Sequence, residues 1–185
     1  MLSSSSRRLL LTLARQGLKD YFAKGRLILP DWKSLPEEIH REAGVFVTLR
    51  QHGKLRGCVG TIESCTTLAH EVIYTAVSSA TQDHRFPPLA PDELGTVDLE
   101  ISILTPFQRV QSIQEIVPKR HGVLVKKGKQ RGLYLPQVWV ESGWDRDTFL
   151  RELCRTKAGL PPDAVHDPQT EWYIFEVESF SETSA

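Results

Sequence analysis

Gly44-Val45-Phe46-Val47-Thr48-Leu49-Arg50-Gln51-His52-Gly53-Lys54-Leu55-Arg56-Gly57-Cys58-Val59 decides the fold class. Gly44 to Arg50 is rich in β-branched and aromatic residues, Gln51-His52-Gly53 has turn composition, and Lys54 to Val59 supplies a second strand, so the stretch predicts a β-hairpin. Downstream, Thr66 or Thr67 can cap a helix whose Leu68, Ala69, Val72, Ile73, Ala76, Val77 and Ala80 share one face. That helix must stop before Arg85-Phe86-Pro87-Pro88, where two prolines impose extended backbone. Val97, Leu99, Ile101 and Ile103 then alternate with Asp98, Glu100 and Ser102, the period-two pattern of a strand buried on one face, with Glu100 on its polar side. Upstream, Leu10, Leu13, Ala14, Leu18, Tyr21 and Phe22 recur at helical spacing, which predicts an amphipathic helix begun by the serine cluster and stopped near Gly25.

Farther along, Val123 to Lys126 and Gly132 to Leu135 flank Lys127-Gly128-Lys129-Gln130 as a second hairpin. A helix from about Asp145 to Ala158 buries Phe149, Leu150, Leu153 and Cys154 and ends at Gly159 and Pro161-Pro162. Trp172 to Val177 alternates like a strand. Hairpins and helices follow one another without a strict βαβ rhythm, so the expectation is an α+β fold: a mainly antiparallel sheet with helices packed on it. No repeat or low-complexity linker divides the 185 residues. They are expected to form one domain, 1–185, with Ser112 to Val140 as the candidate smaller lobe because it holds its own hairpin.

The 23 basic and 23 acidic residues cancel. Nothing in the global charge favours nucleic acid or anionic membranes. Cys58, Cys65 and Cys154 are an odd number at irregular spacing, which argues against a secreted disulfide framework and for a reducing, cytoplasmic setting. The run Leu9 to Leu13 is interrupted by Thr12 and closed by Arg15, too short for a signal-peptide core or a membrane span.

Leu55-Arg56-Gly57-Cys58-Val59-Gly60 resembles the signature Leu-Arg-Gly-Cys-Ile/Val-Gly of the AmmeMemoRadiSam system protein A family, also called the AMME chromosomal region candidate protein family. Asp83-His84-Arg85-Phe86-Pro87-Pro88 is similar to that family's Asp-Pro-Arg-Phe-Pro-Pro segment, with His84 at a position where the family often has proline. Leu99 to Pro106 resembles its Glu-Val-Ser-Val-Leu-Thr-Pro strand, and Gly132 to Val138 its Leu-Leu-Pro-Gln-Val hairpin. Trp144, Phe149-Leu150, Cys154 and Lys157-Ala158-Gly159-Leu160 extend the likeness over roughly residues 5 to 180. The resemblance implies an α+β fold of two unequal lobes and an operon or fusion association with a Memo-like protein and a radical SAM protein. It implies no reaction.

In a regular strand Lys54, Arg56 and Cys58 point to one side, and Leu55, Gly57 and Val59 to the other. Two cations beside Cys58 would favour thiolate, and Gly57 and Gly60 would admit a substrate or another backbone, which makes Cys58 the candidate nucleophile. The competing reading is a small buried residue with the glycines serving a bulge or turn. Arg56, Gly57, Arg85, Glu100 and Gln137 are the candidate substrate-binding residues. Each also has a plain structural role: Arg85 paired with Asp83 to fix a loop, Glu100 facing solvent, Gln137 a hairpin residue. A nucleophilic cysteine needs a base, and His70, His84 and His121 are the candidates. His70-Glu71 lacks the second histidine of a zinc-protease motif, and His84 stands at the family's proline position. The basic residues Lys119-Arg120-His121 and Lys126 to Arg131 read as a solvated turn, or as a contact for phosphates or an acidic partner, while a small anionic ligand is the candidate for a cleft of Arg56, Arg85 and Glu100 beside Cys58. No Gly-rich phosphate loop, dinucleotide fingerprint, EF-hand or CxxC pair appears, so no metal and no nucleotide, flavin or iron–sulfur cofactor is expected on this chain alone. Two functions stay open: a thiol-dependent enzyme or enzyme component, and a non-catalytic adaptor presenting the same surface.

Overall fold

The computed structural model describes residues 1–183. The chain divides into two units, one of Met1–Leu104 with the segment from Glu178 onward, the other of Thr105–Val177. The stretch 112–140, the candidate smaller lobe, falls inside the second. Strands and helices are mixed as an α+β fold, and every strand pairing with a described register is antiparallel.

In the first unit, α1 (Ser4–Lys24) begins where the Ser3 hydroxyl accepts from the Ser6 N–H, and ends at Gly25 in the left-handed region with φ 67°. The hairpin β1 (Val45–Gln51) and β2 (Lys54–Thr61) forms as the sequence predicts, with His52 and Gly53 both at positive φ in the turn. Thr67 caps α2 (Leu68–Thr81) by accepting from the His70 N–H. β3 (Val97–Leu104) completes a four-stranded sheet with β8 (Val177–Ser181) in the order β2-β1-β3-β8, so β2 is an edge strand. Val45, Val47, Leu49, Leu99, Ile101 and Ile103 bury one sheet face with α1 and α2 in a common core. Burying each such aliphatic side chain stabilises the fold by about 1.5–3 kcal/mol.

The second unit contains β4 (Gln108–Val110), β5 (Gly122–Lys127), β6 (Gln130–Tyr134), α3 (Gln137–Ser142), α4 (Arg146–Leu153) and β7 (Glu171–Phe175). Its sheet runs β4-β7-β5-β6. Trp139 stacks face to face on Phe149 at 3.5 Å between ring centroids, and Trp172, Leu150, Leu153 and Cys154 pack around them. The helix expected over 145–158 is α-helical only to Leu153. It continues as a π-helical turn, Cys154–Ala158, which Gly159 ends at φ 63°. Gln137 is not a hairpin residue: β6 stops at Tyr134, and Pro136, with φ −57° and ψ −29°, starts the short helix α3 there.

Candidate functional site

An edge strand leaves one row of backbone N–H and C=O groups without strand partners. At Cys58 that row is closed by two side chains from the loop after α2. Asp83 accepts from the Cys58 N–H at 2.8 Å, and Arg85 donates to the Cys58 carbonyl at 3.1 Å. The buried Asp83 also accepts from the Arg85 backbone N–H at 3.1 Å and from its guanidinium at 2.9 and 2.7 Å. The Arg85 hydrogen bonds are the main reason the Asp83 carboxyl lies far below the usual carboxylate range, the bond from Cys58 N adding to them. His84, between the two, is exposed, so the clamp makes no use of its ring.

The two glycines of the motif face opposite ways. A Cβ on Gly57 would overlap the backbone carbonyl of Ser79, so the missing side chain lets the last turns of α2 lie directly on the strand. A Cβ on Gly60 would enter the ring of Phe46, which lies across it from β1. The Ser79 hydroxyl accepts from Val59 N–H at 2.9 Å and donates to the Val47 carbonyl at 2.7 Å, bridging the two strands from the helix side.

The expected one-sided row of Lys54, Arg56 and Cys58 does not form. Leu49 pairs with Gly57 but Arg50 with Leu55, so Arg56 is the extra residue of a β-bulge and the alternation breaks there. Lys54 pairs with Gln51, and Leu55, not Lys54, shares the face of Cys58. Arg56 turns to Glu93, donating at 2.9 and 2.8 Å, and to the Pro87 carbonyl at 3.0 Å. Arg56, with the Ala90 N–H second, holds the Glu93 carboxyl down to about 2.

Cys58 faces away from α2, in register with Thr48 and, one strand further, Glu100. Thr48 Oγ1 donates to Cys58 Sγ at 3.3 Å. Glu100 pairs with Arg50 at 3.2 Å on the same face. Thr48 and Arg50 were missed as site residues, although strand alternation puts both on the polar face of β1; the register that aligns them with Cys58 depends on the bulge. Gly57, Cys58 and Arg85 are thus brought together, Glu100 lies two strands across, Arg56 points elsewhere, and Gln137 belongs to the second unit. Among the candidate bases, His70 Nε2 lies 2.8 Å from the Pro30 carbonyl, and His121 Nδ1 accepts from the Val117 N–H at 3.1 Å. Among the described residues no hydrogen bond joins Cys58 Sγ to an imidazole or a carboxylate, and no group of three or more His, Cys, Asp or Glu is placed to hold a metal ion. Cys154 is buried, which pushes its thiol up to about 11, while Cys65 is exposed.

The edge-strand motif and the loop that clamps it are the segments whose resemblance pointed to a family, and the comparison with known proteins agrees. The AMMECR1 family model matches residues 11–180. The chain belongs to the AMMECR1 family. A protein of Methanothermobacter thermautotrophicus is 42% identical over 98% of this chain and 96% of its own length. Protein TK0174 of Thermococcus kodakarensis is 42% identical over 94% of this chain and 88% of its own. The crystal structure of the uncharacterized protein PH0010 from Pyrococcus horikoshii is similar to this AMMECR1-family chain with a TM-score of 0.85 and 39% identity, covering 95% of this chain and 90% of that one. None of these names carries an activity. No helix among the described residues is long and apolar enough to cross a membrane.

Proposed function

We propose that this AMMECR1-family chain is the thiol-presenting component of an enzyme system, with Cys58 as the group that engages the substrate. The observation that carries the reading is the asymmetry at Cys58. Its backbone is held on both sides by Asp83 and Arg85, while its sulfur, on the polar sheet face, takes one hydrogen bond among the described residues, from the Thr48 hydroxyl. A thiol fixed to this degree is preorganised for one geometry of attack. A base must nevertheless remove its proton, and among the described residues no basic group is bonded to the sulfur, so this reading assigns the proton acceptor to the substrate or to a second protein. A Memo-like protein and a radical SAM protein are the candidates implied by the family resemblance. Arg85, which donates to the Cys58 carbonyl, suits a small anionic substrate. The free thiol and odd cysteine count fit a reducing compartment, the cytoplasm.

An adaptor role for the same surface has one observation in its favour: Arg56 and Arg85 are both engaged by carboxylates of their own unit, which is how a rigid recognition surface is built. The experiment that separates the two is alkylation by iodoacetamide, followed residue by residue by mass spectrometry across pH. Cys65 serves as the exposed reference and Cys154 as the buried one. A Cys58 that reacts faster than Cys65 at neutral pH supports the thiol reading. A Cys58 inert until denaturation removes it, and retained association with the Memo-like or radical SAM protein after Cys58→Ser would then support the adaptor.

A further inference from the structure

Thr48 stands on the polar sheet face of the first unit, at a place where valine would fit the strand at least as well. β1 is an interior strand, and Val45, Val47 and Leu49 around it turn into the core on the opposite face. Thr48 itself is only 9% exposed. A buried hydroxyl left without a partner is destabilising, so its partner matters. Among the described residues Thr48 Oγ1 makes one hydrogen bond, donated to Cys58 Sγ at 3.3 Å.

Two features fix the direction of that bond. Pairing on both sides, with Cys58 and with Glu100, holds Thr48 in register, and β-branching restricts its χ1. The Glu100 carboxylate, the natural competitor for the hydroxyl proton, takes Arg50 at 3.2 Å, and no hydrogen bond joins it to Thr48 among the described residues. The hydroxyl proton is therefore committed to the sulfur. A donor bonds a charged acceptor more strongly than a neutral one, so the bond tightens as Cys58 loses its proton. Such an interaction favours the reacting form over the resting thiol.

We propose that Thr48 is the positioning residue of Cys58, its hydroxyl orienting the sulfur and stabilising the thiolate that attacks the substrate. This role rests on the thiol reading of Cys58, and adds to it a donor on this chain for the charge that develops once an outside acceptor takes the proton.

The test compares Thr48→Val and Thr48→Ser with the unsubstituted chain by the pH dependence of Cys58 alkylation, with Cys65 as the reference in each protein. In the reaction the thiolate sulfur bonds the CH2 carbon of iodoacetamide and iodide leaves. Losing the donor raises the pH at which thiolate forms but makes each thiolate more nucleophilic, with a Brønsted slope of about 0.4–0.5. The two profiles should therefore cross, with Thr48→Val about two- to fivefold slower near pH 6 and about two- to threefold faster near pH 10. Thr48→Ser keeps the donor and should follow the unsubstituted chain. A packing role gives no crossing, because a loosened fold would speed Cys58 at every pH. Profiles of Thr48→Val and the unsubstituted chain that overlap overturn the proposal and leave the thiol reading standing, as does a Thr48→Ser profile that follows valine. A Cys58 inert in the folded, unsubstituted chain removes the thiol reading and the role of Thr48 with it.

Discussion

Asp83→Asn isolates the charge that closes the open edge of β2. The carboxylate serves four N–H bonds, from the backbones of Cys58 and Arg85 and from two nitrogens of the Arg85 guanidinium. Asparagine keeps one acceptor oxygen and turns an NH2 group towards the remaining donors, so about two charge-assisted bonds are lost, at roughly 1.5–3 kcal/mol each. The Arg85 side chain is 48% exposed, which screens its share. The expected cost is therefore about 2–3 kcal/mol, or about 30- to 150-fold in the folded-to-unfolded ratio. Urea unfolding at pH 7 measures it, and amide hydrogen exchange at Cys58 localises it. The Asp83 carboxyl is depressed below its ordinary value of 3.8 by folding, so its contribution is complete above that value and declines as the pH falls towards the folded-state value. Asparagine does not titrate, so the gap between the two proteins must narrow below about pH 4. Equal stability at pH 7, or a gap unchanged at about pH 3, would refute the reasoning.

Gly57→Ala meets a backbone carbonyl that cannot rotate away and should cost about 3 kcal/mol, whereas Gly60→Ala meets the Phe46 ring, which can turn, and should cost about 1–2 kcal/mol. Denaturation midpoints in the reverse order would contradict the assignment of the two glycines to opposite faces. Glu93→Gln breaks the paired bonds from Arg56 and should cost about 1–2 kcal/mol at pH 7 once the partial exposure of the carboxylate is discounted. Its folded value of about 2 lies below its ordinary 4.5, so the stabilisation is present above 4.5 and fades as the pH falls through about 2, which parallel urea titrations at both ends will show. Burial, with Arg120 second, lowers the pKa of His121, and Glu176 opposes the shift, so the neutral ring that accepts from Val117 is favoured in the fold. Its contribution is complete above its ordinary 6.5 and is lost as the pH falls through the lower folded value; amide exchange at Val117 should accelerate on acidification, and an unchanged rate would remove His121 from the turn.

Elements with strong periodicity were readable from the sequence alone. The alternation of Val97 to Ile103, the apolar face of α2 and the Gln51-His52-Gly53 turn each encode their own conformation locally, and all three stand in the structure. The short helix α3 was not readable, because six residues around a proline carry too little pattern to separate a turn from a helix. At the site, Cys58 and the Asp83–Arg85 loop were recognised as segments, but their meeting depends on which strand lies at the sheet edge, a property of topology. The row of Lys54, Arg56 and Cys58 failed for a different reason. A single bulged residue changes the parity of everything before it, and nothing in Lys54-Leu55-Arg56-Gly57 announces one. Arg56 was consequently assigned to the sulfur when its partner, Glu93, lies 37 residues away in the 3-10 turn Pro91–Gly95.

The Ser79 hydroxyl sits where the pairing of Val47 with Val59 and the end of α2 coincide, and this makes the hairpin and the helix depend on each other. An isolated two-stranded hairpin and a helix of 14 residues are each only marginally stable in water. Neither can reach its final hydrogen bonding alone, because the Val59 N–H and the Val47 carbonyl find their partner on a side chain that arrives only with the docked helix. Docking of α2 therefore completes the hydrogen bonding of the ribbon, and the strand that presents Cys58 is held from the helix side by the same hydroxyl.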